Sequence, residues 1–301
     1  PIWFKTEPFN KISITNIEKN IKKKTGVCMN INKKISNGVT YLTFPLFEKA
    51  GVRHGFSTRL GGVSQGELGA MNLSFSRGDD PEKVMENHQR FAAAVGYPVE
   101  SLVFSDQVHD TVIRRVDSSD CGKGILRSSD IKGVDGLVTD DPGVTLMTFF
   151  ADCVPLFFYD RKHHAIGAVH SGWRGTAGRI GARAVTVMGE EFGSRPEEIL
   201  AVVGPSICQA CYEVSEDVAE AFRQEFKKEQ WGELLLEKTE GKYQLDLWRA
   251  NEIILQEAGI PAGQIQVSGM CTCCHSDILF SHRASGGKRG NLAGLITLLP
   301  E

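Results

Sequence analysis

The chain has 301 residues, of which 41% are hydrophobic and 24% charged, with a formal charge of −3. That balance describes an ordinary globular protein with enough chain for a large core, not a disordered or collagen-like one. No apolar run reaches bilayer length, and the lack of a basic surplus argues against nucleic acid or an anionic membrane as partner.

Residues 1–37 read as an N-terminal extension and residues 38–301 as a single catalytic domain. Residues 1–28 are rich in Lys, Asn and Ile, with Lys22, Lys23 and Lys24 in succession and no clean periodicity. They suit a solvated tail better than a nucleic-acid arm, and Met29 is a candidate natural start. No charged-then-apolar leader opens the chain. Eight cysteines without an export signal fit a reducing compartment, so a cytoplasmic location is expected.

Strands are expected over residues 39–44 and 54–57. The second ends in Ser57-Thr58-Arg59-Leu60-Gly61-Gly62, where backbone donors and a guanidinium suit an oxyanion such as phosphate. A hairpin turn with an exposed arginine is the plainer alternative. Asp79-Asp80-Pro81 opens a helix with a carboxylate cap and a first-turn proline. Val84, His88, Phe91, Ala92 and Val95 mark one face of that helix, and Gly96 ends it. Strands follow over residues 102–104, 111–116 and 136–139, with His109 at a junction between two of them.

Residues 144–150, 154–159 and 165–169 are apolar runs expected to be buried strands. A helix is expected from Trp173 toward Phe192, then a strand over 199–203, helices over 215–228 and 245–258, and a strand over 264–267. Strands and helices do not alternate regularly, which disfavours a Rossmann-type sheet and points to one α+β domain.

Two short segments carry chemistry. Ala151-Asp152-Cys153-Val154-Pro155 and Val169-His170-Ser171-Gly172-Trp173-Arg174-Gly175 place a thiol and an imidazole at the polar ends of adjacent apolar runs. A lone cysteine there is more often a small buried hydrophobe. The pair, with Asp152, Trp173 and Arg174 beside it, makes a candidate functional site. Cys271-Thr272-Cys273-Cys274-His275, with Cys208 and Cys211, holds enough sulfur for a closed zinc site. However, Cys271-x-Cys273 is not the usual knuckle spacing and Cys208-x-x-Cys211 lacks a glycine turn, so ordinary thiols are the expectation there. Phe280-Ser281-His282-Arg283 and Lys288-Arg289-Gly290 add positive charge suited to an anionic substrate or to a solvated face.

The ordered series His54-Gly55-Phe56-Ser57-Thr58-Arg59, Gly61-Gly62-Val63-Ser64, Met71-Asn72-Leu73, Gln107-Val108-His109 and Val134-Asp135-Gly136-Leu137-Val138-Thr139 resembles the YfiH/YlmD family. The two segments around Cys153 and His170, then Gly204-Pro205-Ser206-Ile207-Cys208 and the closing Cys271-Thr272 and Phe280-Ser281-His282-Arg283, extend the likeness over residues 39–299. That family was long labelled multicopper polyphenol oxidase or laccase-domain and is now described as purine nucleoside phosphorylases.

The resemblance implies a four-layer α/β/β/α fold, shared with a toxin deamidase domain. It also implies a zinc site carried onto His109, Cys153 and His170, with copper the less favoured metal. Three protein ligands leave one position open, as catalytic zinc requires. The implied reaction is phosphorolysis of adenosine, inosine, guanosine and S-methyl-5′-thioadenosine to base and ribose 1-phosphate, with adenosine deamination besides. Ser57, Arg59, Asn72, Gln107 and Arg174 are the expected substrate contacts, Arg59 and Ser57 being assigned to phosphate and Arg174 as a second guanidinium. Asp152 is the nearest candidate for a general acid and Glu213 the second.

Three alternatives stand beside this. A copper polyphenol oxidase would need several copper sites, and eight histidines with no His-x-His pair fit that poorly. A metal-free hydrolase would use Cys153 as nucleophile and His170 as base. A non-enzymatic interaction protein would turn over no nucleoside.

Overall fold

A computed structural model describes residues 29–298. The readings made above for residues 1–28 lie outside the described residues. The strands are β1 (Asn32–Ser36), β2 (Val39–Thr43), β3 (Arg53–Ser57), β4 (Leu102–Phe104), β5 (Ile113–Arg115), β6 (Gly136–Thr139), β7 (Thr145–Phe150), β8 (Val154–Asp160), β9 (Ala165–Ser171), β10 (Ile199–Val203), β11 (Glu213–Ser215), β12 (Leu235–Thr239), β13 (Lys242–Leu245), β14 (Ile265–Val267) and β15 (Leu292–Thr297). The helices are α1 (Pro45–Ala50), α2 (Pro81–Val95), α3 (Trp173–Ala177), α4 (Ile180–Phe192), α5 (Glu216–Glu225), α6 (Trp231–Leu234), α7 (Leu247–Glu257) and α8 (His282–Ser285).

Two six-stranded sheets, ordered β1-β2-β3-β15-β7-β4 and β14-β10-β8-β9-β6-β5, carry the fold, with a three-stranded sheet β11-β13-β12 at the side. Both large sheets are mixed: β4 with β7, β5 with β6 and β10 with β14 are parallel, and the remaining pairs antiparallel. Every residue of β8 and β9 is buried. Strands covered on both faces read as continuous apolar runs without alternation, which is how these two appear in the sequence.

Phe157, Tyr159, Ile166 and Ala168 of one sheet meet Phe56, Leu146, Phe150 and Ile296 of the other. The opposite face of β8 and β9, with Leu156, Phe158, Ala165 and Val169, packs on α4, α5 and α7 through Ala184, Phe222 and Ile254. On the far side of the first sheet, Val39, Met147 and Leu295 pack on α2 through Phe91 and Ala92. The layers are therefore α/β/β/α. Helix α2 is bounded as its residues demand, with the Asp80 side chain accepting from the Glu82 N–H, Pro81 in the first turn and Gly96 left-handed at φ 88°.

Three expectations need correction. The helix expected from Trp173 to Phe192 is two helices, because Arg179 adopts φ 58° between α3 and α4. A Cβ on Gly178 at that break would lie 2.7 Å from Thr111 Cγ2. Residues 30–36 belong to the fold rather than to an extension: β1 pairs along β2, and the Asn30 N–H donates to the Ser268 carbonyl. Finally, Leu292–Thr297, for which the sequence reading gives no element, forms β15, fully buried in the interior of the first sheet. No helix among the described residues is long and apolar enough to cross a membrane.

Candidate functional site

The pairing of β8 with β9 sets Pro155 opposite His170 and Val154 opposite Ser171. Cys153, one residue before the ladder, therefore comes beside His170 at the mouth of two adjacent strands. His109 enters from the connection between β4 and β5. The donor atoms of His109, Cys153 and His170 lie within 4.8 Å of one another. Cys153 Sγ is 3.9 Å from His109 Nε2, and the two imidazoles meet edge to face at 4.7 Å between centroids. Gly172 makes room for this approach: a Cβ there would lie 2.8 Å from His109 Cδ2 and 3.4 Å from Cys153 Sγ.

Asp135, wholly buried at the start of β6, organises the cluster. Its carboxylate accepts from the backbone N–H groups of Val108, His109 and Asp110 at 2.9–3.0 Å and from His170 Nδ1 at 2.8 Å. The same residue's carbonyl accepts from the His170 N–H. These bonds hold His109 at φ 66°, a left-handed backbone that L side chains seldom adopt. With Nδ1 committed to Asp135, His170 has Nε2 left for a ligand, the carboxylate–histidine arrangement that orients metal-binding imidazoles. The sequence reading gave Asp135 no role. Its one signal was an acidic residue at the head of an apolar strand.

The electrostatics favour an anionic sulfur. Burial pushes the Cys153 thiol up, but the His170 charge and hydrogen bonds from His109 and His170 outweigh it and bring it down to about 6. Burial would lower His170, yet the Cys153 thiolate and Asp135 raise it to about 9. A thiolate and two imidazoles form a donor set that suits zinc, and also copper.

A cavity of about 530 Å³ opens over the cluster, lined by His109, Cys153 and His170 together with Arg77, Lys132 and Arg289. Phe75, Phe104 and Phe149 supply aromatic wall. A second cavity of about 240 Å³ shares His109 and Cys153 and adds Trp173, Arg174 and Tyr212. Burial and the neighbouring Arg77 lower Arg289 to about 10, against the pull of Asp152 and Cys153. Its Nε is buried without a partner among the described residues. Arg77 donates Nε and Nη2 to the carbonyls of Arg289 and Gly287, and Arg289 donates Nη1 to that of Gly290, which leaves Arg77 Nη1 and Arg289 Nε for an anion in the cavity.

The other sequence-expected residues are placed as follows. Gln107 lines the larger cavity, but its amide donates to the Phe149 carbonyl and accepts from the Phe149 N–H, as a strand neighbour would. Arg174 borders the smaller cavity and stacks 4.3 Å over the Trp173 ring. Asp152, at φ 93°, lies beside Cys153 with Oδ1 accepting from Thr272 Oγ1 at 2.6 Å and Oδ2 from the Arg283 N–H at 2.7 Å.

Ser57, Arg59 and Asn72 line neither cavity. The Ser57 hydroxyl accepts from the Ala293 N–H inside the sheet. Arg59 donates to the carbonyls of Gly69 and Ser276 and covers the Phe280 ring at 4.8 Å. Asn72 is buried and bonds Ser74, Asp79 and the Asn291 N–H. Glu213 accepts from Lys238 Nζ at 2.7 Å and also lies outside both linings. Arg77 was not singled out from the sequence, and Arg289 was noted only as added charge.

Residues 53–299 match the family described as multi-copper polyphenol oxidoreductase laccase. The chain belongs to this family. Within it, the chain is 38% identical over 244 residues to the purine nucleoside phosphorylase YlmD of Bacillus subtilis (strain 168), covering 80% of this chain and 87% of that protein. It is 34% identical over 238 residues to the adenosine deaminase RL5 of an unknown prokaryotic organism, covering 78% and 90%. The crystal structure of YlmD from Geobacillus stearothermophilus superimposes with a TM-score of 0.85 at 35% identity, over 90% of this chain and all of that one. The family's oxidase label and these relatives' names thus point to different chemistries, between which the site must decide.

Proposed function

We propose that this chain is a zinc-dependent purine nucleoside phosphorylase, with adenosine deamination as a second activity, working at His109, Cys153 and His170. The observation that carries the proposal is the meeting of that three-donor cluster with Arg77 and Arg289 in one cavity. A volume of about 530 Å³ is in the range that encloses a small ligand, and accommodates a nucleoside with a phosphate. The relatives' names, purine nucleoside phosphorylase and adenosine deaminase, support a purine nucleoside and phosphate as the substrate class; within that class the reading extends to adenosine, inosine, guanosine and S-methyl-5′-thioadenosine.

In phosphorolysis a phosphate oxygen forms a bond to C1′ of the ribose while the bond from C1′ to the base nitrogen breaks. The base leaves with the electron pair and is protonated. Arg77 and Arg289, which keep free donors and line the cavity, hold and orient the phosphate; the role expected of Ser57 and Arg59 does not fit them, since both lie outside the cavity and all three Arg59 guanidinium nitrogens donate to carbonyls. Phe75, Phe104 and Phe149 offer faces to the purine. His109, Cys153 and His170 would hold the zinc ion, which when bound would supply the Lewis-acid chemistry that deamination needs. Asp152 acts as a positioning residue, since Thr272 and Arg283 occupy both its oxygens.

The copper reading finds less support. Among the described residues one histidine–cysteine cluster opens onto a cavity; in the other histidine-containing group His163 is paired with Asp160, and Glu198 with Lys162 and Arg195. A metal-free cysteine hydrolase does have an observation in its favour: Asp135, His170 and Cys153 are ordered like an orienting acid, a base and a nucleophile.

The test compares Arg289→Ala with Arg59→Ala on inosine with and without phosphate, identifying the products. Base and ribose 1-phosphate are expected only with phosphate. Arg289→Ala should raise the phosphate KM by roughly tenfold or more, whereas Arg59→Ala should lower thermal stability and leave that KM unchanged. Inosine left intact in the presence of phosphate contradicts the reaction; equal KM effects contradict the phosphate site.

A further inference from the structure

We propose a second metal centre in this chain: a closed, structural zinc site made by the thiolates of Cys208, Cys211, Cys271 and Cys274. It rests on geometry independent of the nucleoside reading. All four sulfurs lie within 4.8 Å of one another. Cys211 Sγ and Cys274 Sγ are 3.5 Å apart. A zinc–sulfur bond of about 2.3 Å in a tetrahedron requires sulfur–sulfur edges of about 3.8 Å, so the four are already near their places.

The local backbone has the form that such sites use. Cys208 and Cys211 bracket one turn, closed by the Cys211 N–H donating to the Cys208 carbonyl. Cys271 and Cys274 bracket a second turn, in which the Cys274 N–H donates to Cys271 Sγ at 3.4 Å. The Cys208 N–H donates to the same sulfur at 3.3 Å, joining the turns. Backbone donors aimed at sulfur stabilise a thiolate ligand. Cys274, not Cys273, faces the other three sulfurs, so both halves are Cys-x-x-Cys, the spacing of a zinc knuckle. Cys208 and Cys271 are buried, Cys211 partly so, and Cys274 is exposed, which leaves one edge open for metal entry.

The centre has a structural task. The Ile207 N–H donates to the Asp152 carbonyl, and Thr272 Oγ1 donates to the Asp152 carboxylate. Arg283, whose N–H holds the other Asp152 oxygen, donates its guanidinium to the Cys211 carbonyl at 3.3 Å. The two turns thus converge on the residue preceding Cys153. Four protein sulfurs leave no position for substrate, so the ion fastens the wall of the site and takes no part in the reaction.

Metal content of the full chain, purified with reductant, tests this in three forms: unaltered, Cys153→Ser, and Cys274→Ser. About one zinc per chain should remain in Cys153→Ser, and that one should be lost in Cys274→Ser. Cobalt substituted into Cys153→Ser should give the intense sulfur-to-cobalt absorption of a tetrathiolate, a readout that leaves the four cysteines untouched should Cys274→Ser fail to fold. A metal-free open site, as the cysteine-hydrolase reading has it, would lower the zinc of the unaltered chain to about one and leave these expectations standing. A Cys153→Ser protein that holds no zinc and gives no thiolate–cobalt absorption overturns the proposal. An intact mass showing a Cys211–Cys274 disulfide in freshly purified, unreduced protein also overturns it.

Discussion

Among the described residues, two clusters that contain cysteine, one around Cys153 and one around Cys271, are built on opposite principles. Around Cys153 one thiol stands between two imidazoles, a buried carboxylate fixes one of them, and a cavity opens above. Around Cys271 four thiols face one another without an imidazole among them and close the space. Their acidities diverge accordingly. Cys153 is drawn down to about 6 by His170 and His109 against the effect of burial. The hydrogen bond with Cys208, followed by burial, pushes Cys271 well above the usual thiol range, and burial with the Cys271 charge does the same to Cys211. A thiol that is anionic beside cations can serve chemistry; thiols that repel one another's charge need a cation to hold them all as thiolates.

The contrast is sharpened most by altering what orients the open centre. Asp135→Asn keeps the shape but not the charge that His170 and three backbone N–H groups rely on. Metal affinity at the open site should fall by roughly 10–100-fold, while the four-cysteine centre keeps its metal. Competition with a chelator of known affinity, read on both centres, checks it; equal loss from both would mean that Asp135 supports the fold at large.

A smaller effect is expected from Gly172→Ala, where the new methyl would press on His109, the most exposed of the three clustered donors. His109 can shift, so metal affinity should weaken by roughly fivefold with thermal stability unchanged. The same titration checks this, and a loss as large as that of Asp135→Asn would show that His109 cannot move.

How legible these regions were differs for physical reasons. The β8 and β9 strands announced themselves because both faces are apolar, and the Cys153 and His170 segments because polar chemistry interrupts them. His109 came only through the family resemblance, since nothing in a lone imidazole at a loop names its distant partners. Asp135 was missed because its partners are the backbone of residues 108–110 and a histidine 35 positions on. Arg59 was given to phosphate because a guanidinium in a glycine turn looks free; the carbonyls that satisfy it come from Gly69 and Ser276. Cys271-x-x-Cys274 has knuckle spacing and was legible in the sequence; what the sequence does not show is that this turn meets the one at Cys208 and Cys211.

The central claim, that Cys153 is a metal ligand and not a free nucleophile, is tested most directly by iodoacetamide labelling of its peptide, before and after chelation, across pH. In the metal-replete protein Cys153 should resist labelling. After chelation it should react, and because the folded thiol lies near 6, below its ordinary value, its reactivity should rise as pH increases through about 6 and level off well before the pH at which an ordinary thiol ionises. Turnover should disappear with the metal and return with zinc. Rapid labelling of the metal-replete protein, with turnover surviving complete metal removal, would contradict the account and establish Cys153 as the nucleophile of a cysteine hydrolase.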